Sequence, residues 1–235
     1  MTCLTSFPRR PFRARGSNVE RCGHCLLTPR TCICEFRFLH HAQARFCLLM
    51  HRKEQYKPTN TGRLIGDVIA NTEQLEWQRT APGERLARLL DDPTLAPHIV
   101  FPPAEDYRHR MVSRPVDDGR IPLFILPDGT WRQARRIFRH SRYLDQLPVI
   151  SPQQQLLSRY HLRKKIEPDQ LCTAEVAAAM LDQIGDPRSA RLLDAYFDIF
   201  NEHYRASRLT RPLNPEQPAK QLIRALQRGE WPAAG

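Results

Sequence analysis

The stretch LFILPDGTWRQARRIFRH, residues 123–140, passes within eighteen positions from an unbroken apolar run to a turn and then to a strongly basic segment. Four consecutive large apolar residues, Leu123 to Leu126, have the continuity of a strand buried on both faces, which is how strands of a parallel sheet covered by helices read. Pro127, Asp128 and Gly129 end the run. Thr130 then stands at a helix N-cap position, ahead of Trp131, Ala134 and Phe138 at helical spacing, with Arg132, Arg135, Arg136 and Arg139 mostly on the other side. An acid, a hydroxyl and a ring are thereby placed at the carboxyl end of a strand, where open parallel sheets bind ligands.

Outward from that stretch the pattern repeats. RFCLLMH (45–51) reads as a buried strand, and GRLIGDVIAN puts Leu64, Ile65, Val68 and Ile69 on one helical face. QLEWQR (74–79), HIVFP (98–102), IPLFILP (121–127) and LPVIS (147–151) are candidate strands, with a helix at 83–91. A polar, basic loop covers 153–170. TAEVAAAMLDQIG then reads as a helix from an N-cap at Thr173 to Gly185, followed by a long amphipathic helix over 189–205 and a short one at 216–228. Strands alternating with helices predict an α/β fold with a mainly parallel sheet covered by helices. The chain divides into a flexible basic arm (1–20), a small N-terminal cysteine module (21–44), the α/β domain (45–206) and a C-terminal tail with a short helix (207–235).

Charge is segregated along the 235 residues. The net of +11 comes from residues 1–64 (+9) and 121–165 (+7), while 65–120 (−3) and 166–235 (−2) are acidic. Two basic blocks of this kind draw in phosphate backbones by counterion release, so a nucleic-acid partner is expected over a merely solvated surface. The apolar runs are strand-sized, far from the roughly 18 residues of a membrane helix, and the start of the chain lacks the apolar centre of a secretory signal. Seven cysteines without an export signal point to a reducing cytoplasm.

Four of them, Cys22, Cys25, Cys32 and Cys34, lie in CGHCLLTPRTCIC. Two close pairs can aim four thiolates at one ion, so a structural zinc site is expected, with an iron–sulfur cluster, a redox pair or local disulfides as alternatives. The tract has little apolar material, so metal binding is expected to supply most of its folding free energy. His24 is a conceivable stray ligand; Cys3, Cys47 and Cys172 lack partners at ligand spacing.

Phosphate-loop and dinucleotide fingerprints are absent, and no nucleophile elbow supports a Ser/His/Asp triad. Asp128 as a turn residue, Thr130 as a cap and Trp131 as a core ring remain structural readings of the turn.

DGTW, taken with CGHCLLTPRTCIC, KPTNTGRL and CTAEVA in that order, resembles the DTW-domain family, specifically bacterial tRNA-uridine aminocarboxypropyltransferases. The resemblance implies a SPOUT-like fold with a knotted cofactor site, and S-adenosylmethionine as co-substrate. It also implies transfer of the 3-amino-3-carboxypropyl group to N3 of a tRNA variable-loop uridine, with methylthioadenosine released. A SPOUT-type RNA methyltransferase and a non-catalytic zinc-ribbon RNA-binding protein are the alternatives. By the motif match, Asp128, Thr130, Trp131, Thr173, Glu175, Asn60 and Thr61 are expected at the cofactor. Asp128 is the candidate to accept the N3 proton or hold the cofactor's ammonium group. Trp131 is expected either to stack on the base or to wedge the helix into the core. Arg132, Arg135, Arg136 and Arg139, with Lys57 and Arg63, are expected to meet tRNA. Many relatives have proline after the histidine of the second motif; here His51 precedes Arg52, and no role is carried onto it. No membrane and no obligate protein partner are expected.

Overall fold

A computed structural model describes residues 19–153, 158–160 and 171–231. Residues 1–18 of the basic arm, Cys3 among them, and most of the 153–170 loop lie outside these. Six strands, β1 (Arg45–Met50), β2 (Thr72–Glu76), β3 (Leu95–Val100), β4 (Met111–Val112), β5 (Ile121–Asp128) and β6 (Val149–Ile150), form one sheet in the order β2-β1-β5-β3-β6-β4. Every pairing is parallel, as the sequence pattern predicts. The helices are α1 (Gly62–Val68), α2 (Glu84–Leu90), α3 (Trp131–His140), α4 (Thr173–Gln183), α5 (Pro187–Leu209) and α6 (Pro218–Gln227).

Alternation along the two central strands divides the interior. Phe46, Leu48 and Met50 of β1 and Phe124 and Leu126 of β5 pack with residues of α1, α4, α5 and α6. Cys47, Leu49, Leu123 and Ile125 face the other way, toward Leu86 and Leu89 of α2 and Ala134 and Ile137 of α3. Both faces are buried, which is why the strands read as continuous apolar runs. Among the described residues no helix is long and apolar enough to cross a membrane.

Some boundaries differ from the sequence reading. β3 starts at Leu95 and runs through Pro97, because β6 pairs only from Ile99 onward and no neighbour on that side requires a donor at Pro97. β2 lies earlier than 74–79, starting directly after Asn71, whose φ of 61° makes the turn out of α1. The cysteine module also contributes more than thiols, contrary to the expectation above. Leu27, Ile33 and Phe36 are 0, 0 and 2 % exposed and belong to the same core as α5 and α6, so apolar burial contributes to holding the module. From the tail, α6 buries Ile223 and Leu226 in that core, and Gln227 Nε2 donates to the Glu35 carbonyl at 2.7 Å.

Candidate functional site

Asp128 is the last residue of β5, and strand parity turns its side chain toward α1 and α4, where it is 1 % exposed. Asn60 Nδ2 donates to Oδ2 at 2.5 Å and Thr173 Oγ1 donates to Oδ1 at 2.7 Å. Gly62 completes the contact: a Cβ there would stand 3.0 Å from the carboxylate atoms, so the first turn of α1 comes this close only because residue 62 has none. Asn60 Oδ1 in turn accepts from the Arg63 backbone N–H at 3.1 Å, tying that first turn to the same amide. Three segments far apart in sequence, 59–63, 128–131 and 172–175, thus meet on one carboxylate at the carboxyl edge of the sheet.

Thr173 is not the N-cap of α4, as its sequence position implied. Cys172 holds that place, with its N–H donating to Glu175 Oε2 at 2.8 Å, and Thr173 becomes the first helical residue, free to reach Asp128. Glu175 also accepts from Ser158 Oγ at 2.8 Å and from the Arg159 N–H at 2.5 Å, so its carboxylate is engaged by the chain itself. Thr130 does cap α3: Gln133 N–H donates to its Oγ1 at 3.4 Å while its own N–H donates to Gln133 Oε1 at 2.8 Å. This geometry gives Asp128 the part of a tie between elements. Each carboxylate oxygen takes one of these two hydrogen bonds, and together they tie α1 and α4 to the end of β5.

In and just ahead of the first turn of α1, Glu54 Oε2, Thr61 Oγ1, and Arg63 Nε and Nη1 are buried with no hydrogen-bond partner among the described residues. Glu54 is 0 % and Arg63 8 % exposed; Lys57 pairs with the other Glu54 oxygen and Arg63 Nη2 donates to the Pro58 carbonyl, so each buried group is only partly satisfied, and the polar atoms left over are costly to bury unless a ligand completes them. A cavity of about 500 Å³ between α5 and residues 211–219 lies elsewhere; of the charges that line it, Arg159 pairs with Asp198 at 3.1 Å and Glu202 with Lys220 at 2.8 Å.

In the cysteine module, the Sγ atoms of Cys22, Cys25, Cys32 and Cys34 lie within 4.8 Å of one another, with Cys22–Cys34 and Cys25–Cys32 both at 3.6 Å. A tetrahedron with metal–sulfur bonds of ~2.3 Å has edges of about 3.8 Å, so the four residues fit a metal ion such as zinc. Thiols so crowded cannot all ionise alone: the Cys34 hydrogen bond holds Cys25 down at about 5, while burial pushes Cys32 up to about 12. His24 is not a fifth candidate. Its Nε2 pairs with Asp67 Oδ1 at 2.6 Å, and Asp67 also takes Arg37 and the Tyr196 hydroxyl, so this histidine pins the module to α1 and α5.

The family model for the DTW domain matches residues 19–205. The chain belongs to the DTW domain family. The matched span includes the four cysteines and all three segments that meet at Asp128. No solved structure matches the chain.

On the other side of the DTW domain's sheet edge, Trp131 is 40 % exposed, not a core ring. Phe101 stacks between Phe138, at 4.3 Å and 7°, and Trp131, at 5.4 Å and 8°. The Arg135 guanidinium lies 4.9 Å from the Trp131 ring centre. Arg132, Arg135, Arg136 and Arg139 are all exposed along α3. Lys57 is partly buried and paired with Glu54. Arg63 lies away from the basic face, inside the protein with Nη2 on the Pro58 carbonyl at 3.0 Å and its guanidinium over Phe200, because α1 turns it inward against α5.

Two residues of the site escaped the sequence reading. His51 follows β1 directly; its N–H donates to the Asp128 carbonyl at 3.0 Å, and its ring Nδ1 lies 3.1 Å from Gln133 Nε2. Gln133, on the first turn of α3, was given no part in the sequence reading. The register that pairs Met50 with Asp128 is the signal that would have placed residue 51 beside the turn.

Proposed function

We propose that this DTW-domain protein modifies tRNA, transferring the 3-amino-3-carboxypropyl group of S-adenosylmethionine to N3 of a variable-loop uridine. Family membership supports a tRNA-modifying role, and the observation that carries the finer reading is the convergence of Asn60, Gly62, Asp128 and Thr173 beside the buried, partly satisfied polar groups of Glu54 and Arg63. A ligand with both an ammonium and a carboxylate suits such a rim. The sulfonium co-substrate supplies an activated carbon, so the protein need not protonate a leaving group. What its residues must do is orient the uridine nitrogen toward the propyl carbon and not the methyl.

In this reading Asp128 is a positioning residue: by binding Asn60 and Thr173 it fixes the α1 and α4 termini that would hold the amino-acid end, with Thr61 and Cys172 between them. The knotted cofactor site implied by the resemblance belongs to the same proposal. The exposed arginines of α3, together with the basic arm, would bind tRNA phosphates, and the exposed end of the Phe138–Phe101–Trp131 stack offers an unpaired base an aromatic surface. The cysteine module, loaded with zinc, would extend that grip.

The test uses unmodified tRNA and S-adenosylmethionine labelled separately in the methyl and carboxyl groups. Entry of the carboxyl label alone supports the proposal. Entry of the methyl label alone makes the protein a methyltransferase, and tRNA binding with neither label entering makes it a binding protein.

A further inference from the structure

The Thr130 backbone N–H can only donate, so the Gln133 side-chain atom 2.8 Å from it is the carbonyl oxygen, which also accepts from Thr130 Oγ1 at 2.7 Å. The other end of that amide is therefore the NH2 group, and it too can only donate. It lies 3.1 Å from His51 Nδ1, which must accept. A neutral imidazole accepting at Nδ1 carries its proton on Nε2. The Lys53 N–H, at 3.5 Å from the same Nδ1, has the same requirement. The capping box of α3 thus sets the tautomer of a histidine on the neighbouring strand end, one residue beyond the Met50–Asp128 pair.

We propose that His51 acts in the transfer reaction as a fixed hydrogen-bond donor, its Nε2–H directed to a carbonyl oxygen of the target uracil next to N3, and that Gln133 is the positioning residue that keeps it a donor. This rests on the function proposed above. As N3 loses its proton to water, charge spreads onto the flanking carbonyls; a preorganised donor there stabilises the developing anion. N3 then bonds to the propyl carbon as the carbon–sulfur bond breaks and sulfur keeps the electron pair. The charged groups around the ring suit a neutral donor. Burial lowers the His51 pKa, Glu54 opposes this, and Arg52, Lys57 and Arg136 add to it.

The test is Gln133→Glu, which keeps an oxygen for the Thr130 N–H but replaces the donor to Nδ1 by an acceptor. Nitrogen-15 NMR of the histidines in the intact protein should place the His51 proton on Nε2 in wild type and on Nδ1 in the variant. Transfer by the variant should fall about 10²-fold in kcat at neutral to alkaline pH, with KM for tRNA little changed. The loss should shrink as pH falls, because protonation of the imidazole restores an Nε2–H. His51→Phe should lose the activity at every pH. Wild-type protein with the proton on Nδ1, or a Gln133→Glu variant that folds and transfers at the wild-type rate, overturns the proposal while leaving the function intact. A wild-type protein that puts no label into RNA overturns both.

Discussion

Replacing Asp128 separates a tie from a base. In Asp128→Ala the Asn60 amide, 1 % exposed, loses its acceptor with no water to replace it, at ~1–3 kcal/mol. The Thr173 hydroxyl is only partly buried and recovers part of its loss from solvent, so the total is about 2–4 kcal/mol, a large share of an ordinary domain's stability. Asp128→Asn keeps the shape. Its oxygen can still accept from Asn60 and its NH2 can donate to Thr173, whose hydroxyl rotates to accept, so its cost should be about half as large. Urea unfolding of the metal-loaded protein, with equal m-values, gives both differences. The same pair decides the chemistry: if Asp128 positions, Asp128→Asn retains a substantial part of the transfer rate that Asp128→Ala loses, whereas a base is lost equally in both. An alanine variant within 0.5 kcal/mol of wild type, or an asparagine variant as inactive as the alanine one while fully folded, refutes the reasoning.

Four other outcomes follow from the same geometry. Gly62→Ala should destabilise by about 1–3 kcal/mol and lower the rate as Asp128→Ala does, since its methyl would sit 3.0 Å from the carboxylate; a neutral unfolding midpoint contradicts the close approach. Arg135→Glu with Arg136→Glu should weaken tRNA binding and lower the slope of log affinity against log salt by about two, read by a binding titration; an unchanged slope removes this face from the interface. Purified protein should carry one metal ion per chain by elemental analysis, and Cys34→Ser should lose it together with cooperative unfolding. Cys47, which burial pushes up to about 12, should resist alkylation in the native protein up to about pH 10 and contribute stability that is full below its ordinary value near 9 and lost as pH rises toward 12; rapid native labelling at pH 8 would be incompatible with its burial.

The parallel sheet was legible because β1 and β5 are buried on both faces and write that burial as unbroken apolar runs, and because Pro127-Asp128-Gly129 marks where the central strand stops. The four cysteines were legible because ligand spacing is local. Pairing between distant segments was not. Thr173 looks like a cap, and only the engagement of Cys172 by Glu175 shows that its hydroxyl is free for Asp128. Trp131 has the spacing of a core residue, yet the first turn of α3 projects past the sheet edge and leaves its ring exposed on Phe101. Arg63 looks like part of a basic surface in a stretch rich in cations, but helical phase, not charge, decides which way it points.

Strand parity also argues for a division of labour across the sheet edge. Asp128, Asn60 and Thr173 belong to the α1 and α4 side, whereas Phe101, Phe138 and the arginines flank α3 on the other. A donor molecule on the first side and RNA on the second would meet only over the carboxyl ends of β1 and β5, and His51 sits on that seam, its backbone on Asp128 and its ring on α3. The arrangement accounts for the burial of Asp128: a carboxylate facing the arginine surface would attract those cations and blunt their use for phosphate, whereas one turned inward leaves the face positive. It follows that an acidic residue introduced at the seam, as in Gln133→Glu, should weaken tRNA binding far less than Arg135→Glu, because Gln133 lies between the two sides and not on the basic face. Equal losses of tRNA affinity in the two variants would show that the sides are not separate.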